Sequence, residues 1–319
     1  MKKILKILLV LVLVIVVVIG AGAAFISIRG IPSYEVKVPA IPKVEVTPER
    51  VARGEKIASM LCRNCHLNPE SGKLTGRELT EAPAFGKIFS KNITQDKESG
   101  IGNWKDAELI YFIRTGINPH TGKYVPPYMV KLIHISDEDM RSIVAYLHSD
   151  RPEVQPDKMT HPATDPSFLT KFLCMVAFKP TPFPEKEIPN PDTSNVLEWG
   201  KYLTLYQLEC YGCHSADFKT DNFVDPEKSV GFFGGGNELT TEEGNKIKTL
   251  NLTPDEETGI GNWTEEQFAN AVKNGIVPNG PALRKPMMPF VHLTDGEVHA
   301  IYSYLRTVPK IKHKVERSS

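Results

Sequence analysis

The 319-residue sequence has no excess of charge in either sign. Its 38 basic residues are balanced by 38 acidic ones, so it lacks the basic bias of a nucleic-acid binder and none is expected as a partner. Five cysteines are too few to staple a chain of this length as a disulfide scaffold. With 24% charged and 41% hydrophobic residues it fits neither the disordered nor the multi-span membrane class. The first 30 positions contain no acidic residue, and beyond them no second apolar run is long enough to cross a bilayer. The length suggests two domains.

What is present begins at the N-terminus. Lys2, Lys3 and Lys6 precede an apolar run from Ile7 to Ile28, 22 residues that end at Arg29. About 20 such residues span a bilayer as a helix. Lysines before the run favour a cytoplasmic start, with everything after Arg29 exported. A cleaved signal peptide is the competing reading, because Ala21-Gly22-Ala23 resembles a small-residue cleavage site. Residues 1–30 are therefore read as a transmembrane anchor or signal peptide, and 31–46, with three prolines, as an extended tether. The expected location is a bacterial inner membrane, with the body on the periplasmic side.

The body repeats itself. C-R-N-C-H (62–66) recurs as C-Y-G-C-H (210–214), an offset of 148. N-I-T-Q-D-K-E-S-G-I-G-N-W (92–104) recurs as N-L-T-P-D-E-E-T-G-I-G-N-W (251–263), an offset of 159. The segments at 135–147 and 293–305 match at an offset of 158. The same order of blocks twice means two copies of one domain, at 47–150 and 195–312. A longer loop in the second copy contains G-F-F-G-G-G-N-E (231–238). Residues 151–194 form a proline-rich linker with one short helix near 167–173, expected to wrap both copies. A tail occupies 313–319.

Each copy reads as mostly helical, so the fold class is all-α. Thr47 before Pro48 starts one helix, and Asn195 with Glu198 starts its equivalent; both are expected to run straight into the cysteines. Thr264 with Gln267, Ser136 with Asp139, and Thr294 with Glu297 have capping-box spacing. Gly54 and Gly200 match in the first helices, and Tyr146 and Tyr304 in the last. Each glycine is expected to admit close packing of those two helices, with the tyrosine covering the notch.

C-x-x-C-H is the attachment signature of c-type haem. Cysteines three apart on a helical turn can each form a thioether with one vinyl group. The histidine that follows then points at the iron. Cys62, Cys65, Cys210 and Cys213 are the expected covalent attachment points of two haem c groups, with His66 and His214 as axial ligands. A thioredoxin-like thiol pair would need a βαβ context that the sequence lacks. Half of a zinc site gives no reason for histidine at the same place twice.

The sixth iron position takes a thioether when the reduction potential is to be high and the iron closed. Met129 and Met287 each lie seven residues before the start of the last helix, after proline-containing turns. They are the expected second ligands, with Met288 as rival to Met287. His134 and His292, also matched, leave bis-histidine ligation open. Trp104 and Trp263, in the G-I-G-N-W blocks, have indole N–H groups able to reach a haem propionate, and the neighbouring glycines would let backbone N–H groups approach it. Cys174, unpaired in F-L-C-M-V, reads as a buried spectator.

These motifs together resemble membrane-anchored di-haem cytochromes c with two class-I-type domains, similar to the cytochrome c subunits of alcohol and gluconate dehydrogenases. The resemblance covers about residues 44–312 and rests on the two haem motifs, the two N-[IL]-T…G-I-G-N-W blocks and the S-D-E-D and T-D-G-E helix starts. It implies an all-helical fold around each haem, ligation by His66 with Met129 and by His214 with Met287, and electron transfer with redox partner proteins. Those dehydrogenase subunits usually carry three haems; this chain has two attachment sites. Three functions follow as expectations: an anchored electron carrier, an electron-transfer subunit of a dehydrogenase or oxidase complex, and a di-haem enzyme such as a peroxidase or thiosulfate-oxidising cytochrome.

Overall fold

The computed structural model describes residues 2–241 and 243–316; the last three residues of the expected tail lie outside them. Helix α1 (Lys2–Arg29) extends away from the body with almost every side chain exposed. In the first copy, α2 (Pro48–Leu61), α3 (Arg63–His66), α4 (Asp106–Thr115) and α5 (Asp137–Leu147) follow. The linker carries α6 (Phe168–Val176). The second copy has α7 (Val196–Lys201), α8 (Cys210–His214), α9 (Glu265–Asn274) and α10 (Asp295–Leu305). Strands are short: β1 (Gly86–Lys87) pairs with β2 (Asp165–Pro166), and β3 (Glu238–Thr240) with β4 (Lys246–Lys248), both antiparallel.

The helix starts are as expected. Thr47 and Asn195 accept from the N–H groups of Arg50 and Glu198, and Thr264 and Thr294 complete capping boxes with Gln267 and Glu297. Ser136 caps α5 through Asp139 N, but the Asp139 carboxylate does not close the box. It faces the second copy, where Tyr202 Oη donates to it at 2.7 Å while accepting from Ser136 N at 3.0 Å.

The two first helices differ. Eight residues separate Gly54 from Cys62, but ten separate Gly200 from Cys210. The two extra residues are absorbed by a wider π-helical turn over Tyr202–Gln207, with Leu208 N reaching Leu203 O, and by a left-handed residue, Glu209, at φ 48°. The expected unbroken helix into the second cysteine pair is therefore interrupted. The glycine positions in the two helices still superpose on the same packing, because the insertion lies beyond them.

Helix α2 serves two interfaces. Its Gly54 face packs on α5, and its Arg53 and Lys56 reach across to the second copy. Arg53 forms a bidentate pair with Asp139 at 2.8 and 2.9 Å and also donates to Gln207. Lys56 pairs with the buried Glu297 of α10. The copies thus share one apolar core bordered by charge pairs.

The tether and linker are laid down on the body. Val44 is buried and donates from its N–H to Asp106 at 2.7 Å. The linker binds chiefly the first copy: Asp137 N donates to Ile188 O, and Glu153 pairs with Arg63. It meets the second copy at a small cluster where Phe218 packs against Cys174 and Phe178. The N-x-T blocks explain part of this. Asn92 Oδ1 accepts from Thr94, while its Nδ2 donates to Asp157 O in the linker at 2.7 Å. Asn251 does the same with Thr253 and Ile311 O. Each block fastens the segment that leaves its own last helix.

Candidate functional site

Each cysteine pair sits on a single helical turn, as the motif requires. Cys62 ends α2, and Cys65 and His66 lie on α3; Cys210, Cys213 and His214 form α8. All four thiols, and Cys174, are unbridged. Burial pushes Cys62 and Cys210 up to about 12, and Cys213 up to about 11. A dithiol redox centre needs the opposite shift, toward thiolate. The described residues also lack the βαβ unit of a thioredoxin-like pair.

The histidines are oriented identically. His66 Nδ1 lies 2.7 Å from Lys91 O, and His214 Nδ1 lies 2.8 Å from Leu250 O. A carbonyl oxygen only accepts, so Nδ1 carries the proton and Nε2 keeps its lone pair. That is the tautomer a metal ligand needs, fixed by a second partner behind the ring. Burial lowers the pKa of both imidazoles and keeps them neutral.

Between the copies lies a cavity of about 1110 Å³ lined mostly by apolar side chains. Cys65 and Met129 line it from the first copy, and Cys210, Cys213, His214, Met287 and Met288 from the second. Free thiols, the neutral imidazole of His214 with an open Nε2, and thioethers around one apolar cavity are a donor set that suits covalently held iron porphyrin, and the residues fit that group. Cys62 and His66 stand beside this set on the same turn as Cys65.

The methionine loops are held differently. Met129 N donates to Pro126 O at 3.2 Å, and the loop is stapled by Lys131, whose buried Nζ donates to Pro126 O at 3.0 Å and to Met129 O. In the second copy Met287 N donates to Arg284 O, and proline occupies the position equivalent to Lys131. The sequence reading missed Lys131, since a lone lysine in a loop carries no signal of burial. It also missed Asp221, whose two carboxylate oxygens are buried with no hydrogen-bond partner among the described residues; burial, and then the charge of Asp217, push it up to about 7.

His134 and His292 do not line the cavity. His134 Nε2 donates to Val224 O at 3.0 Å across the domain interface, its ring 4.9 Å from Tyr206, and His292 is exposed. The bis-histidine alternative finds no geometry here. The tryptophans part company: Trp263 lines the cavity, whereas Trp104 lies edge-on to Phe112 and His120, with centroids 5.5 and 4.8 Å away. The glycines beside them do not offer N–H groups outward as expected. Gly100 and Gly102 both donate to Asp96 O, and Gly259 and Gly261 to Asp255 O. They are glycines because a Cβ on Gly100 would lie 2.2 Å from Thr94 O. Cys174 is fully buried, as expected of a spectator.

Comparison with known proteins adds the following. The family model described as cytochrome c matches residues 203–309, and that of cytochrome c oxidase, cbb3-type, subunit III matches 49–147. The fructose dehydrogenase cytochrome subunit of Gluconobacter japonicus is 26% identical over 277 residues, covering 81% of this chain and 52% of that one. The cytochrome c subunit of the quinone alcohol dehydrogenase of Gluconacetobacter polyoxogenes is 28% identical over 261 residues, covering 78% and 54%. A diheme cytochrome c-type protein of Cereibacter sphaeroides is 27% identical over 311 residues, covering 92% and 98%. The chain thus spans about half the length of the dehydrogenase subunits it matches, and nearly all of the di-haem relative.

Proposed function

Because this chain carries two cytochrome c domains and two covalently bound haem c groups, we propose that it is an anchored electron-transfer protein. The observation that carries the reading is the single cavity to which both copies contribute thiols and thioethers. We assign covalent attachment to Cys62 and Cys65, and to Cys210 and Cys213. His66 with Met129, and His214 with Met287, would be the residues that hold each iron.

When bound, haem iron accepts and releases one electron. The chain holds each imidazole in one tautomer through a backbone carbonyl, so the ligand does not turn when the charge on the metal changes. Met129 and Met287 would supply the second ligand to each iron, and the apolar walls would keep water from it. Trp263, which lines the cavity, would hold a propionate on that side; Trp104, packed on Phe112 and His120, has no such place in the first copy.

Helix α1 is retained as the anchor, with the body on the periplasmic face of the inner membrane. Three lysines before the apolar run and one arginine after it support that orientation. The dehydrogenase relatives favour a membrane dehydrogenase as electron donor. The test combines mass and spectrum. Two added porphyrin masses and a ferric thioether charge-transfer band for both haems are expected. A mass lacking the two porphyrins, or peroxide-dependent turnover at enzymatic rates, would overturn the carrier reading. Gentle detergent extraction that brings a catalytic subunit along would identify it as a complex subunit.

A further inference from the structure

Helix α6 carries an apolar stripe that no other described residue covers. Ser167 caps its start by accepting from Thr170 N. Thr170 and Cys174, on one side, are buried against the first copy. On the other side Phe168, Phe172 and Val176 are 48%, 39% and 59% exposed, while Leu169 turns to the cavity described above. Spacings of four and eight residues put Phe168, Phe172 and Val176 on one face. The rings of Phe168 and Phe172 run nearly parallel, 6.5 Å apart. Three large apolar side chains on one face of a nine-residue helix are a costly surface to leave in water.

The position of α6 identifies the occupant. The helix packs against α1. The α1 residues that lose exposure are Ala23 and Ile26, in its last two turns. Just beyond α1, Ile31 and Tyr34 pack on the cluster that holds Cys174 and Phe178, under the same helix. The apolar run of α1 ends at Ile28. At 1.5 Å per residue, α6 therefore sits within a few ångströms of the level where α1 leaves the hydrocarbon. Lys171 flanks the stripe, as cationic side chains do at headgroup depth.

We infer that α6 lies in the outer interface of the bilayer, its Phe168–Phe172–Val176 face immersed among lipid chains, and that this second attachment fixes the tilt of the haem domains over the membrane. The inference rests on α1 being a retained anchor. A single anchor followed by a free tether would leave the haem domains to swing. Here tether, linker helix and first copy are packed together, so immersing α6 orients the whole body.

The experiment uses the full-length, haem-loaded protein in phosphatidylcholine–phosphatidylglycerol vesicles. The photoreactive residue p-benzoylphenylalanine replaces Phe172, Val176, Phe25 or Val224 one at a time. These are exposed positions, and the haem spectrum checks the fold of each variant. Irradiation followed by intact mass measurement reads phospholipid adducts. Positions 172 and 176 are expected to give lipid adducts at least ~10-fold above position 224, which faces water on the second copy. Adducts at 25 but not at 172 or 176, or cross-links from 172 to a second polypeptide, overturn the inference. Loss of adducts at 25 itself, with an N-terminal mass lacking α1, shows instead that the anchor reading has failed.

Discussion

A β-carbon on Gly54 would stand 1.8 Å from the carbonyl oxygen of Ser142, in α5; the equivalent atom on Gly200 would stand 2.0 Å from that of Ala300, in α10. In both copies the Cβ of the matched tyrosine, Tyr146 or Tyr304, is 2.9 Å from the same point. The backbones of the first and last helices touch through these glycines, and neither can give way without separating the helices. Gly54→Ala and Gly200→Ala are therefore expected to destabilise the haem-loaded protein by about 3 kcal/mol or more, the upper part of the overpacking range. Gly296 in α10 is the control. Its added carbon would meet only the ring of Trp199, at 3.6 Å, so Gly296→Ala should stabilise by ~0.5–1 kcal/mol through helix propensity. Denaturant unfolding measures all three, and a Gly54→Ala variant as stable as the parent would contradict the packing.

Glu153 links the linker to both the haem motif and the last helix of the first copy. Arg63, inside C-R-N-C-H, donates to both its carboxylate oxygens, and Tyr146 Oη donates at 2.7 Å. Burial alone would raise its pKa. The hydrogen bonds from Arg63 and Tyr146 and the charge of Arg63 outweigh that, and hold it below the usual 4.5. A carboxylate lowered on folding contributes stability that is fully present above its unfolded value and is lost as pH falls through its folded value. Glu153→Gln should cost about 1–3 kcal/mol at neutral pH. The gap between parent and variant should close in acid, below 4.5. Unfolding curves across pH 3–8 (about the range where carboxylates titrate) test the sign, and a pH-independent gap would show that the carboxylate charge has no part in it.

Much of this molecule could be read before any coordinates. The repeated C-x-x-C-H places the two thiol turns because its chemistry leaves little freedom, and the cap residues start the helices because they satisfy local N–H groups. The Gly54/Tyr146 contact was visible as two matched pairs. What escaped was non-local. Two extra residues before Cys210 looked like more helix, since a π-turn has no composition of its own. Asp139 had the spacing of a capping-box acid, yet a tyrosine and an arginine brought in by the fold claim it. Gly100 and Gly259 looked like sites for a propionate, but their N–H groups close on their own loop.

Asp139 is where the two copies lock together. It is 6% exposed on its side chain, paired bidentately with Arg53, and accepts from Tyr202 of the second copy. Asp139→Ala would strand a partly buried guanidinium and a buried phenol, a loss of about 3–5 kcal/mol for breaking one side of such a pair. Arg53, which Asp139 holds in place, also reaches Gln207 and Glu297 of the second copy, so part of the loss falls at the interface. The parent is expected to unfold in one calorimetric transition, and the variant in two. Tyr202→Phe, which removes only the hydroxyl, should cost about 1–2 kcal/mol and keep a single transition. Two transitions already present in the parent would mean that the charge pairs do not couple the copies.

The three candidate ligand methionines, Met129, Met287 and Met288, separate by variant. Met129 is held by one backbone hydrogen bond, to Pro126 O, and by Lys131 stapling its loop. Met287 occupies the same repeat position, and Met288 lines the same cavity one residue on. Met129→Ala and Met287→Ala should each lower one haem potential, by a fraction of the roughly 0.8 V over which axial ligands move it. Each should also remove one share of the thioether charge-transfer band and let imidazole bind that iron. Met288→Ala should leave both potentials and the band in place. Redox titration with absorbance readout decides among them. If Met288→Ala loses the band and Met287→Ala keeps it, the ligand in the second copy is Met288, and the register drawn from Met129 is off by one.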